Sequence, residues 1–242
     1  MAFPQNDYRP PNAFQMIPPV VKNLLIINGL FFLAQIVFRM QTPGGLGPVE
    51  EWLALWPAGV PSEIPREAGV GSFWPWQLAS TAFLHGDFFH LLFNMFGLWM
   101  FGGVVEQTLG SKRFAVLYAV CVLGASVLQL GVISWPYLDG AITPADLRLY
   151  GPTVGASGGV LGVLAAFAVL YPDQKIFLLF LPVPIPAKWF VLGYAAVDVF
   201  GGLGLYSSNI AHFAHLGGML AGFLLIQYWR GRLPVKPAAR AA

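Results

Sequence analysis

Gly151-Pro152-Thr153-Val154-Gly155-Ala156-Ser157-Gly158-Gly159-Val160-Leu161-Gly162 is the stretch on which the reading of this chain turns. One hydroxyl, Ser157, stands among residues too small to shield it, at the start of an apolar run that continues to Tyr171. Pro152 and the glycines suit an irregular approach with a helix beginning near Ser157. A helix start offers unpaired backbone N–H groups and the positive end of the dipole, so an oxyanion formed there would meet donors already in place. The same small residues also serve close packing between apolar helices. On its own the string is therefore ambiguous, and catalysis would need a base and further oxyanion donors from elsewhere in the chain.

The surrounding composition decides the solvent. Of 242 residues, 57% are hydrophobic and 10% charged, against roughly 25% charge in an average soluble domain. The 28 glycines and 20 prolines interrupt apolar runs rather than polar ones, so they do not mark disorder. The chain reads as an all-α, polytopic membrane protein. Its single cysteine, Cys121, excludes an intrachain disulfide. A net charge of +2, with no basic cluster outside the tails, argues against a nucleic-acid partner.

Working outward, six apolar spans are expected: 20–40, 76–101, 114–133, 156–171, 189–205 and 210–229. The first is about long enough to cross ~30 Å of hydrocarbon. Residues 1–19 form a proline-rich tail, 20–229 the membrane domain and 230–242 a basic tail. The connection 41–75 mixes carboxylates with Trp52 and Trp56, which fits a structured loop at the membrane interface. The segment 102–111, bearing Glu106, reads as a turn. Residues 176–186, broken by Pro182, Pro184 and Pro186, read as resting at the interface. With both termini cytoplasmic, ten of the 13 Lys and Arg residues fall inside and only Arg39, Arg66 and Arg148 outside, as the positive-inside rule expects. In a bacterium this would be the inner membrane.

All four histidines lie in or beside these spans, where ionisable groups are costly and face a bundle interior or a wet cavity. At 100° per residue, His90 and Asn94 share a face, while His85 points about 140° away. On the last span, His215, Gly218 and Gly222 share a face, which would let another helix approach that histidine closely. The glycines beside Ser157 offer a matching flat surface. His212 lies about 60° to the side. Each histidine could instead be an interhelical hydrogen-bond partner, and Asn94 likewise. Zinc binding lacks a His-Glu-x-x-His string. Asp198 is a lone acid with no paired aspartate for aspartyl chemistry.

His85-x4-His90-x3-Asn94, Gly155-Ala156-Ser157-Gly158 and Ala214-His215-Leu216-Gly217-Gly218, in this order on three separate spans, resemble the rhomboid family of intramembrane serine proteases. The flanks Thr81-Ala82-Phe83-Leu84-His85-Gly86-Asp87, Phe101-Gly102 to Glu106, and Leu109-Gly110-Ser111 are similar to the family's second-helix block. The likeness covers about 74–229. It implies a six-helix bundle and a Ser–His dyad without an aspartate: Ser157 as nucleophile, His215 as general base and then acid. His90, Asn94 and the Ser157 N–H would form the oxyanion hole. His85, Gly155, Gly158 and Gly218 would be structural near the site. The implied substrate is a single-pass membrane protein, cut in or near its transmembrane segment within the lipid bilayer, and no cofactor or metal is implied.

Two features depart from the family pattern. Leu161 stands one turn after the serine, where many relatives place an aromatic. The first loop lacks a Trp-Arg pair, since Trp52 precedes Leu53 and Trp56 precedes Pro57. With no aspartate in the dyad, helix packing is expected to orient His215. A rhomboid-like protein that binds membrane clients without cutting them is the alternative; a small transporter would need an inverted repeat, and none is visible.

Overall fold

The computed structural model describes residues 17–40, 47–59, 71–141, 151–178, 181–205 and 210–234. Of the basic residues counted above, Arg9, Arg66, Arg148, Lys236 and Arg240 lie outside them. The described chain is a helical bundle with one hairpin. Its elements are α1 (Pro19–Met40), α2 (Pro48–Leu53), α3 (Gln77–Ser80), α4 (Phe88–Gly97), α5 (Gly103–Leu109), α6 (Ser111–Leu138), α7 (Ser157–Leu170), β1 (Lys175–Leu178), β2 (Leu181–Pro186), α8 (Ala187–Gly202) and α9 (His212–Trp229). A single π-helical turn, Leu98–Gly102, joins α4 to α5 into one continuous rod.

α7 is the centre. Twelve of its 14 residues are buried, which is what a helix apolar on every side requires. α6 and α9 pack on it. The outward faces carry large apolar side chains, such as Leu30 (60% exposed) on α1, Phe93 (61%) on α4 and Leu192 (58%) on α8. Exposed apolar surface on this scale matches a lipid solvent. Three helical stretches, Pro19–Met40, Phe88–Leu109 and Ser111–Leu138, are long and apolar enough to cross a membrane. At 1.5 Å per residue α7 spans only about 21 Å. Three of the six expected crossings thus meet the length and hydropathy requirement by themselves.

The second expected span is misplaced in the sequence reading. The rod begins at Phe88, not residue 76, because Asp87 caps it: its carboxylate accepts the His90 N–H at 2.9 Å. Residues before it form α3, a 3-10 turn (Thr81–Phe83) and a bend. The same rod continues through Glu106, so 102–111 is not a turn. Glu106 is buried and accepts the Val20 and Val21 N–H groups (3.0 and 2.8 Å) and the Ser111 hydroxyl (2.7 Å). It thereby gives the orphan N–H donors of the α1 start their acceptors and draws that end onto the bundle. The proline-broken segment forms an antiparallel hairpin in which Ile176 pairs with Ile185. Prolines at every second position of β2 leave the missing N–H groups on one edge, where a strand tolerates them.

Candidate active site

The approach to Ser157 is pinned before the helix begins. Thr153 forms a two-way backbone bridge with Leu55, both bonds at 3.0 Å, and its carbonyl also accepts the Thr81 hydroxyl at 2.6 Å. Gly155 N–H then donates to the Thr81 carbonyl at 3.0 Å. Gly155 has φ +138°, and a Cβ there would lie 2.9 Å from two atoms of the His90 ring and 3.5 Å from Ser157 Oγ. Only glycine satisfies both the backbone and the space. Ser157 follows as the first residue of α7, so its own N–H and those of Gly158 and Gly159 have no intrahelical partner.

Glycines bring the histidine to this serine. A Cβ on Gly218 would run into the backbone carbonyl of Gly158, and one on Gly222 into that of Gly162. On Gly158 it would meet Ala125 and, at 3.2 Å, the Ala214 carbonyl. Two pairs spaced four residues apart keep α7 and α9 in backbone contact over about one turn. His215, one turn before Gly218, therefore reaches across: its Nε2 lies 2.8 Å from Ser157 Oγ. His215 is buried and Ser157 half-buried. Leu161 is in the core, and the aromatic beside His215 is Tyr194 of α8, ring centroids 6.2 Å apart.

The other side of the site comes from α4. His90 Nδ1 accepts the Gly86 N–H at 3.3 Å, so a neutral His90 carries its proton on Nε2, one of the two ring atoms that a Cβ on Gly155 would meet. Asn94 is buried and spends one amide N–H on the His90 carbonyl at 3.0 Å, which holds its side chain along the same face. His85 is not on this helix, so helical angles do not describe it. Its ring meets that of His90 edge-on, centroids 5.1 Å apart. Its backbone is held at both ends by Gln35, which accepts the His85 N–H (2.9 Å) and donates to the His85 carbonyl (3.1 Å). Gln35 also donates to Glu50 (3.0 Å), which pairs with Arg39 (2.6 Å). The fully buried ring of His85 makes no hydrogen bond among the described residues. Burial, with His90 beside it, pushes this imidazole down to about 4; the Phe83 carbonyl, although not in good bonding geometry, and Asp87 pull weakly the other way.

Sequence reasoning missed a cluster behind His215. Asp198 Oδ1 lies 2.7 Å from His212 Nδ1 and 3.1 Å from His215 Nδ1, all three residues buried. The lone acid of α8 is thus beside the histidine that was expected to be oriented by packing alone. Its position on a different helix left only a weak signal, an acid in an otherwise uncharged span. These three residues also have ligand atoms within 4.8 Å of one another, but the two shorter separations are those of N–H···O hydrogen bonds and require no ion.

Apolar helices long enough to cross a membrane define the class, a polytopic helical membrane protein, with a serine–histidine hydrogen bond inside the bundle. The chain belongs to the rhomboid family: residues 73–232 match the model of the Rhomboid domain. It is 36% identical over 148 residues to Rhomboid protein 1, mitochondrial, of Saccharomyces cerevisiae, covering 61% of this chain and 40% of that protein. It is 34% identical over 165 residues to the mouse Presenilin-associated rhomboid-like protein, mitochondrial (66% and 40%). It is 30% identical over 149 residues to Rhomboid protease GluP of Bacillus subtilis (61% and 25%). The matched stretch spans less than half the length of each of these relatives.

Proposed function

We propose that the protein is an intramembrane serine endopeptidase that cuts single-pass membrane proteins in or near their transmembrane segment. The observation that carries this reading is the 2.8 Å contact between His215 Nε2 and Ser157 Oγ, within the reach required of a general base and its nucleophile. Family membership and the printed name of the Bacillus relative support the reaction class.

In the proposed reaction Ser157 Oγ attacks the scissile carbonyl carbon as its proton passes to His215 Nε2. The resulting oxyanion would lie between the Ser157 N–H, the proton on His90 Nε2 and the second amide N–H of Asn94. His215 then returns the proton to the leaving amine as the C–N bond breaks. Water, activated by the same histidine, hydrolyses the acyl-enzyme. The short α7 supports this placement, because a helix of about 21 Å does not fill ~30 Å of hydrocarbon. The serine at its start would then lie below one membrane surface, level with the substrate's own helix. Small, helix-weakening residues in the substrate would let its backbone unwind into the site.

Purified protein in detergent, incubated with a single-pass membrane substrate, should release two fragments, and Ser157→Ala or His215→Ala should reduce cleavage to background. Undiminished cleavage by either folded variant would refute the Ser157–His215 pair. Wild-type protein that holds the substrate without cutting it would point instead to a client-binding member of the family.

A further inference from the structure

We infer that Asp198 is a positioning residue for His215, making the site an Asp198–His215–Ser157 relay, and that His212 is the second anchor holding that carboxylate in place. This rests on the protease reading above and adds to it a third member drawn from α8. The geometry is a continuous chain of contacts: Ser157 Oγ to His215 Nε2 at 2.8 Å, then His215 Nδ1 to Asp198 Oδ1 at 3.1 Å, then the same oxygen to His212 Nδ1 at 2.7 Å.

The chemistry follows from which atoms can carry protons. A histidine that accepts the serine proton at Nε2 must hold its existing proton on Nδ1. That N–H needs an acceptor in a buried site, and Asp198 Oδ1 is the one beside it. During attack the serine proton moves to Nε2 while the Nδ1 proton stays in place. Asp198 takes no proton and offsets the charge that forms on the ring.

His212 gives the arrangement a specific shape. Both imidazoles approach one oxygen, whereas Oδ2 is buried without a hydrogen-bond partner among the described residues. An aspartate serving only to tie helices together would gain by spreading its bonds over both oxygens. The structure instead converges two donors on Oδ1, which fixes that atom at the edge of the His215 ring. His212 and His215 are three apart on α9, so they share enough of one face to grip a single carboxylate from α8.

The test is steady-state cleavage of a fluorogenic single-pass membrane substrate in detergent, with the rate of fluorophosphonate labelling at Ser157 read in parallel. Asp198→Asn either turns an N–H toward His215, reversing the tautomer, or keeps an oxygen there without the negative charge. It should lower kcat and the labelling rate by about 10²-fold or more, with KM within twofold of wild type. A purely structural tie would not produce that split. For His212, Asn places an N–H close to the position of Nδ1, so His212→Asn should keep most of kcat while His212→Leu loses about tenfold, roughly one hydrogen bond. Asp198→Asn with kcat within threefold of wild type overturns the relay. Should that variant fail to fold, equal kcat for His212→Leu and wild type overturns it. No cleavage or labelling by wild-type protein would overturn the protease reading as well, and so separates the two failures.

Discussion

Ser157 and His215 are brought together by backbone lying against backbone, whereas His90 and Asn94 are placed by hydrogen bonds local to one helix start. The first arrangement joins residues 58 apart in sequence through glycine pairs that leave no room for a single methyl group. The second is built within residues 86–94, from the Asp87 cap, the Gly86 N–H and the Asn94 amide. Close packing is all-or-none, because a displaced backbone carries its whole helix with it. Local hydrogen bonds can be removed one at a time, each for about 1 kcal/mol. One wall of the site should therefore fail abruptly and the other by degrees.

The largest effect is expected at the glycine contact. In Gly218→Val the new side chain meets the Gly158 backbone, which cannot rotate away as a side chain would. The variant should lose cleavage entirely and be destabilised by about 3 kcal/mol, the upper end for overpacking, measured by unfolding in mixed micelles. Gly193→Ala, where nothing lies within 4 Å, is the matched control and should resemble wild type. A Gly218→Val protein with normal stability and activity would remove the packing side of the comparison.

The α4 wall should respond more moderately. On the proposed mechanism His90→Ala removes one oxyanion donor and should lower kcat by roughly 10²–10³, with little change in melting temperature because His90 is only half-buried. Asn94→Ala should cost less, since the Ser157 N–H and His90 remain. Equal losses for the two, or a large fall in melting temperature for His90→Ala, would mean that α4 supports the fold rather than the oxyanion.

Legibility in the sequence followed the same division. The glycine periodicity on α7 and α9 is local and was readable: Gly218 and Gly222 share a face with His215, and the structure sets them against Gly158 and Gly162. The start of α4 was also signalled, by Asp87 standing just before an apolar run, but a continuous hydropathy window ran over it and absorbed residues 76–87. Glu106 looked like a loop residue because its partners, the N–H groups of Val20 and Val21, are over 80 residues away. Asp198 was hidden for a similar reason. A carboxylate on one helix and two histidines on another become a cluster only when the helices cross, and no local pattern encodes that crossing.

His85 sharpens the comparison with the smallest effect, because it lies where the two kinds of construction meet. Its backbone is tied by Gln35, yet its ring is buried against His90 with no hydrogen bond among the described residues. Such a ring is kept neutral: its pKa is depressed from 6.5 to about 4 by burial and by His90. In the unfolded chain it titrates near 6.5. As pH falls below 6.5 the unfolded state takes up a proton that the folded state refuses until about pH 4, so stability is lost across that window. An apolar ring of similar shape has no proton to refuse, and replacing an unpaired buried polar group this way costs little. His85→Phe should therefore match wild type in melting temperature near pH 7.5 and exceed it by pH 4.5, leaving a flatter curve between. Parallel curves for the two proteins would show that the His85 ring is protonated in the fold, with a partner for its charge, and would move it from the packed wall to the hydrogen-bonded one.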